Sequence, residues 1–282
     1  MRCLVCGTEA LTEAQFCGNC GASLAAAISL AVPLPLRDLG GLVGETFRVY
    51  RQNFWPFLVI ALLAAIPSFL GQLAFPWTLP LALSSVGPRL LLALLGYALS
   101  IVAQGAIVCT VAQQYLRGRV DVIECYRRAF RRAIPLLLAT LVFGLMLVGS
   151  GILILLLVGI PLFFYLLASR FFFSPAVVLE GMGPIAALKR SRDLVRGSWW
   201  RVFGIGVVFV LIFLGLGIAV LAPGLILTIF NKTLGSALLT ALGALVSPLG
   251  AIGTAVVYFD LRARKEGYGL QAMAAEWDAR GR

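Results

Sequence analysis

From residue 39 onward, long apolar runs alternate with short basic stretches. The runs fall near 54–75, 90–114, 134–157, 161–179, 202–227 and 236–259. Each comes close to the length of about 20 residues that carries a helix across a hydrocarbon layer of roughly 30 Å. The third and fourth are hard to separate, because no charge occurs between residue 134 and Arg170. Two helices joined by a tight turn fit that stretch, with the breaker at Gly159-Ile160-Pro161 or at Gly149-Ser150-Gly151. The apolar piece Leu24–Val32 is too short to cross, and Pro33 and Pro35 favour an extended tether. The pattern predicts an all-α polytopic membrane protein of about six transmembrane helices. Its parts are residues 1–22 (a small cysteine motif), 23–38 (a linker), 39–268 (the membrane domain) and 269–282 (an amphipathic tail).

The polar positions between the runs orient the chain. All Lys and Arg residues except Arg89, Arg170 and Lys232 fall on one side of a six-span arrangement. Cytoplasmic loops collect Lys and Arg, so both termini are expected in the cytoplasm. Trp55, Trp199, Trp200 and Tyr258 then sit at the inner edge and Trp77 at the outer, where aromatic belts occur.

Each odd-numbered span is preceded by a basic amphipathic stretch, at 44–64, 121–141 and 184–207. Arg51-Gln-Asn-Phe-Trp and Arg196-Gly-Ser-Trp-Trp match well, and Arg131-Arg-Ala-Ile-Pro more weakly. One reading is that any entry into a membrane looks like this, since Arg snorkels and Trp prefers the interface. The other is three repeats of interfacial helix plus hairpin about an axis near the membrane normal. In the third copy Ile185, Leu188 and Val195 share a side at helical spacing. The exposed cations expected to meet anionic lipid are Arg127, Arg128, Arg131, Arg132, Lys189, Arg190, Arg192 and Arg196. In the tail, Leu270, Met273, Ala274 and Trp277 repeat the amphipathic spacing.

Composition narrows the class. The chain is 61% hydrophobic and 12% charged, against about 25% charged in a soluble domain. A net charge of +11 would suggest nucleic acid in a soluble protein, but here it records topology. Histidine is absent, which removes the commonest general base and imidazole ligand. The first residues carry cysteines and polar groups, so no signal peptide is read.

Cys3-Leu-Val-Cys6-Gly and Cys17-Gly-Asn-Cys20-Gly form two knuckles. Each pair brings two thiolates onto one metal, and the following glycine permits the tight turn. Four thiolates make a closed tetrahedral site that suits structural Zn²⁺, and a cytoplasmic location disfavours disulfides. Residues 3–21 resemble the zinc ribbons that cap many bacterial membrane proteins. Arg2 stands against Glu9 and Glu13, so a phosphate-binding face and a nucleic-acid partner are not expected. Cys109 reads as a small apolar packer within the second span, whereas Cys125 falls in a cytoplasmic amphipathic stretch, where acylation is a minor alternative.

Polar residues within spans mark function by default. They are Gln72, Gln104, Thr110, Ser169, Arg170, Ser247 and Thr254, with no Asp or Glu deep in a span. Arg170 lies near mid-depth if its helix starts at Pro161, and snorkels to the inner interface if it starts earlier. Gln104 reads as an interhelical hydrogen-bonding group, and with Arg170 it forms the candidate contact for a lipid or small ligand. Pro67, Pro175, Pro223 and Pro248 are placed to bend or break spans.

Two motifs carry a family resemblance: Ala187-Leu188-x-x-Ser191 with Gly197-x-Trp199-Trp200, and Tyr258-x-Asp260-Leu261-Arg262-x-Arg264-x-Glu266-Gly267. They resemble a bacterial family of six-span proteins of unknown function, which includes the membrane domain fused to some glycerophosphodiester phosphodiesterases. The resemblance implies a six-span fold in a bacterial inner membrane and no catalytic residues. The residues therefore point to a non-enzymatic scaffold or regulator whose ribbon recruits a cytoplasmic protein. Binding or transport of a lipid or amphiphile is the alternative. The purified full-length chain should carry one zinc ion, and Cys17→Ser should abolish it, as read by metal analysis of the protein in detergent.

Overall fold

The computed structural model describes Asn19 and residues 37–74, 83–157 and 159–266. The ribbon cysteines Cys3, Cys6, Cys17 and Cys20, most of the linker, Trp77, the side chain of Gln72 and the tail lie outside the described residues. The described chain is all α-helical. It runs α1 Leu39–Gln52, α2 Phe54–Ala74, α3 Leu83–Arg117, α4 Val122–Arg131, α5 Ala133–Ile152, α6 Gly159–Arg170, α7 Phe173–Leu179, α8 Pro184–Val195, α9 Trp199–Phe230 and α10 Lys232–Glu266. Six segments are long and apolar enough to span a membrane: α2, α3, α5, α6 with α7, α9 and α10. This is a multi-pass membrane protein.

The three remaining helices, α1, α4 and α8, are the amphipathic ones. Asp38 starts α1, its carboxylate accepting from the Gly41 N–H at 2.9 Å. Asp121 does the same for α4 through the Glu124 N–H at 3.0 Å. Pro184 opens α8, where its missing N–H costs nothing. Each ends in a short break before its span: Asn53, Arg132 and residues 196–198. The polar breaks seen in the sequence are therefore real corners, and Gly197 with φ +85° makes the third.

The three units pack in a ring. Each amphipathic helix lies on the returning helix of the unit before it: α4 on α3, α8 on α7 and, closing the circle, α1 on α10. The returning helices face inward. Of the most apolar stretch, 44% is buried in α3, 39% in α6 with α7 and 56% in α10, against 22%, 22% and 11% in α2, α5 and α9. The arrangement has the three-unit form, with hairpins whose second helices meet at the centre.

The buried faces of α1, α4 and α8 are taken up by the body. They carry Leu42, Glu45, Thr46 and Val49; Cys125 and Ala129; and Leu188, Ser191, Leu194 and Val195. Ile185, grouped with Leu188 and Val195 by spacing, is instead 76% exposed. Cys125 is fully buried in contact with the equally buried Cys109 of α3, which leaves no surface for acylation.

The turn between the third and fourth spans falls between the two breakers that the sequence offered. Gly149-Ser150-Gly151 lies inside α5, and the turn between the third and fourth spans is a 3₁₀ turn at Leu153–Leu156. Leu157 follows it with φ 59°, and Gly159 begins α6. A Cβ at Gly159 would stand 2.2 Å from the backbone of Leu153 and Ile154, so only glycine lets the helix start against the turn. The fourth span is itself broken between Arg170 and Phe173, where Pro175 was expected to bend or break it. Pro175 stands in the first turn of α7, where it has no N–H to carry the α6 ladder onward. Pro67, Pro223 and Pro248 are accommodated inside α2, α9 and α10. Gly159→Ala should lower the thermal unfolding midpoint in detergent by several degrees. Gly149→Ala, with open space around its Cβ, should leave it unchanged or raise it.

Candidate functional site

Breaking a helix inside an apolar body strands its backbone groups, and the fold closes the gap with a side chain. The Ser191 hydroxyl of α8 donates to the Ser169 carbonyl at 2.9 Å and accepts from the Phe172 N–H at 3.0 Å. Ser191 is fully buried, so this one hydroxyl replaces water at both ends of the break. The bond also fixes the level of Arg170. Ser169 is level with the amphipathic α8, and the Phe164 and Tyr165 rings pack on Phe203 at 5.7 Å and Trp199 at 6.5 Å, at the start of α9. Arg170 follows them toward the end of the body that carries α8 and Trp199.

At the basic end, buried carboxylates tie the returning helices together. Glu180 accepts from Arg190 at 2.9 and 3.1 Å and from the Tyr258 hydroxyl, with Arg262 at 3.6 Å. Glu266 joins Arg262 at 2.8 Å and also pairs with Arg190. Asp260 holds Arg201 at 2.9 Å and Arg264 at 2.8 Å. The backbone of Arg37, where the N-terminal arm enters, is clamped in the same cluster. Its N–H donates to Asp260 at 3.1 Å, and its carbonyl accepts from Arg201 at 2.8 Å and Arg264 at 2.7 Å. Glu45 is enclosed by Arg48 at 2.6 Å, Arg37 at 3.3 Å and the Tyr115 hydroxyl at 2.9 Å.

These braces include Arg190, which the sequence had grouped with the lipid-facing cations. It turns inward onto Glu180 and Glu266, and its guanidinium is held above the ordinary arginine value. Burial opposes that charge, and the hydrogen bonds and charges of the two carboxylates outweigh it. Arg132 is exposed but donates to the Gly181 carbonyl at 3.0 Å. Arg127, Arg131, Lys189, Arg192 and Arg196 are exposed, and Arg128 is half-buried. Reasoning from sequence missed Glu45, Glu180 and Asp260 as buried groups. The signal available was the motif itself, because Tyr258, Asp260, Arg262, Arg264 and Glu266 all belong to the cluster.

A second feature lies in the apolar body. A groove of about 570 Å³ runs between α6, α9 and α10 with α3 at its back. Phenylalanine and aliphatic side chains dominate its walls, and Gln104, Ser247 and Thr254 are the polar residues among them. Thr254 is occupied by the Gly250 carbonyl at 2.8 Å, whereas Gln104 makes no hydrogen bond to a described residue. Gln104 is exposed to the groove amid buried neighbours, so it is not the interhelical bond expected of it. Arg170 is not on the lining, and the structure therefore does not join the two candidate contact residues in one wall. Among the described residues no cluster of three or more Cys, Asp or Glu is placed to hold a metal.

A zinc-ribbon domain family matches residues 2–24, and a domain of unknown function, DUF7847, matches residues 136–261. The second match runs from α5 to α10 and includes the walls of the groove other than Gln104. No curated protein and no solved structure matches the chain. The class is a six-helix polytopic membrane protein with a zinc-ribbon-like N-terminal segment.

Burial alone would raise the Glu45 carboxyl, but hydrogen bonds from Arg48 and Tyr115 and the charges of Arg37 and Arg48 hold it below the usual glutamate range. A carboxyl lowered in the folded state stabilises the fold above its unfolded value and loses that contribution as pH falls through the folded value. The thermal midpoint in detergent should drop on going from about pH 5 to about pH 3, and Glu45→Gln should flatten that drop.

Proposed function

We propose that this chain is a non-enzymatic membrane module whose ribbon recruits a cytoplasmic protein to the inner face of a bacterial plasma membrane. Both termini lie in the cytoplasm in this reading. Cys3, Cys6, Cys17 and Cys20 hold a structural Zn²⁺. The exposed cations Arg127, Arg131, Lys189, Arg192 and Arg196 face anionic lipid. The observation that supports it is the clamp on Arg37. The segment that carries the ribbon enters the body through a backbone held by Asp260, Arg201 and Arg264, on the two helices of the last hairpin. A partner bound to the ribbon would thus pull on the base of the bundle and not on a loose tether. The likeness to the membrane domain of glycerophosphodiester phosphodiesterases fits such a role, since that domain accompanies a separate functional unit.

A second reading, binding of a lipid or small amphiphile in the helical body, is favoured by the groove beside Gln104. The first reading is tested by capture of partners from solubilised membranes with the full-length chain. Some partners should depend on the ribbon and be lost with Cys17→Ser, while the protein keeps its helical content and its place in the membrane. An identical partner set with both proteins would remove it.

A further inference from the structure

The three junctions of the ring are not equivalent. At the first, α2 packs along α10. At the second, α5 seats Leu136 so closely on α3 that a Cβ at Gly105 would meet it at 2.9 Å. At the third, where α9 should close on α6, the groove intervenes, and α9 is the least buried of the spans at 11%. The wall supplied by α9 runs from Val202 to Phe213, about 16 Å of helix, which is the depth of one leaflet in a hydrocarbon core of roughly 30 Å. Near the α8 end of the groove, Arg170 and Trp199 are half-buried, and Arg170 Nε and Trp199 Nε1 are buried with no acceptor among the described residues. Arg170 is next to the lining residue Phe171, and Trp199 is one turn before the lining residue Phe203.

We infer that this open junction is a lateral site for one acyl chain of an anionic phospholipid from the leaflet on the amphipathic-helix side. The headgroup region lies at Arg170 and Trp199. The inference deepens the amphiphile-binding reading and rests on it. The occupant follows from position: the groove is apolar, one leaflet deep and faces the lipid around α9, and the half-buried cation Arg170 stands beside its end, next to the lining residue Phe171. A cation there favours a headgroup of net negative charge over a zwitterionic one. The backbone at Gly206 and Gly250 lines the groove with open space where a Cβ would stand, so side chains can be added there to fill it.

The test uses the full chain in vesicles carrying a phospholipid with a photoreactive acyl chain, followed by mapping of labelled peptides. Labelling of α6 and α9 at the groove should exceed that on the outer faces of α2 and α5. Gly206→Leu or Gly250→Leu, which displaces about two methylene contacts, should reduce it about tenfold. Gly204→Leu, off the lining and also in open space, should not. An anionic probe should label the groove about fivefold more than a zwitterionic one, and Arg170→Gln should erase the difference. Groove labelling no stronger than the outer faces, or unmoved by both filling substitutions, would overturn the inference. Labelling by a photoreactive fatty acid but not by phospholipid would overturn it while leaving the amphiphile reading intact. Labelling by neither would remove both. Equal labelling by both headgroups in the unaltered protein would overturn the role given to Arg170.

Discussion

Hydrocarbon offers a peptide group nothing to bond, so every backbone N–H and C=O within the bilayer must find its partner inside the chain. That constraint decides where this molecule can bend. Its corners at Asn53, Arg132 and residues 196–198 join amphipathic helices to spans, at the level where water and headgroups begin. The one span broken along its length, α6 to α7, has Ser191 of a neighbouring helix inserted at the break as donor and acceptor. The Ala-Leu-x-x-Ser motif thus has a physical content. Ala187 and Leu188 bury the face of α8, and Ser191 completes the broken helix that this face covers.

The basic end follows from a second cost, that of burying charge. Glu45, Glu180 and Asp260 are each nearly inaccessible, and each is enclosed by at least two cations from other elements or other turns. Such pairs are weak sources of net stability, but removing one partner from a buried pair costs about 3–5 kcal/mol. They therefore select one arrangement of helices, because a different docking would leave a carboxylate buried without a cation. In the exit motif, residues at every second position serve two sides of α10. Asp260 with Arg264 faces α9 and the incoming Arg37, while Arg262 with Glu266 and Tyr258 faces α7 and α8. This is how the last helix closes the ring onto the first.

The ring is regular at its base and irregular in its membrane walls. The amphipathic helices repeat their docking three times, whereas the spans above them close two junctions and leave the third open beside the break after Arg170. The residues matched by the domain of unknown function cover that third junction almost entirely. Function in this body is best sought where the repetition fails, since the repeated contacts are explained by packing alone.

Much of this was legible without coordinates. Hydropathy is a local property, so six runs and the basic stretches between them could be read from residues in order, and the polar corners at Arg51-Gln-Asn, Arg131-Arg-Ala and Arg196-Gly-Ser offered three units as one of two readings. The cysteine spacing was equally local. What could not be read was which neighbours a side chain would meet. Lys189 and Arg190 are adjacent and chemically alike, yet one is exposed and the other pairs with Glu180 and Glu266. Ser191 looks like any helical serine until α8 is laid on the break it completes. Gln104 and Arg170 appeared to be one kind of group, and the fold separated them, one in the groove wall and one off it. The chain by itself determined its solvent, because this depends on each residue's own transfer energy. Tertiary structure alone decided which charges are buried and which junction stays open, because these depend on contacts between residues far apart in sequence.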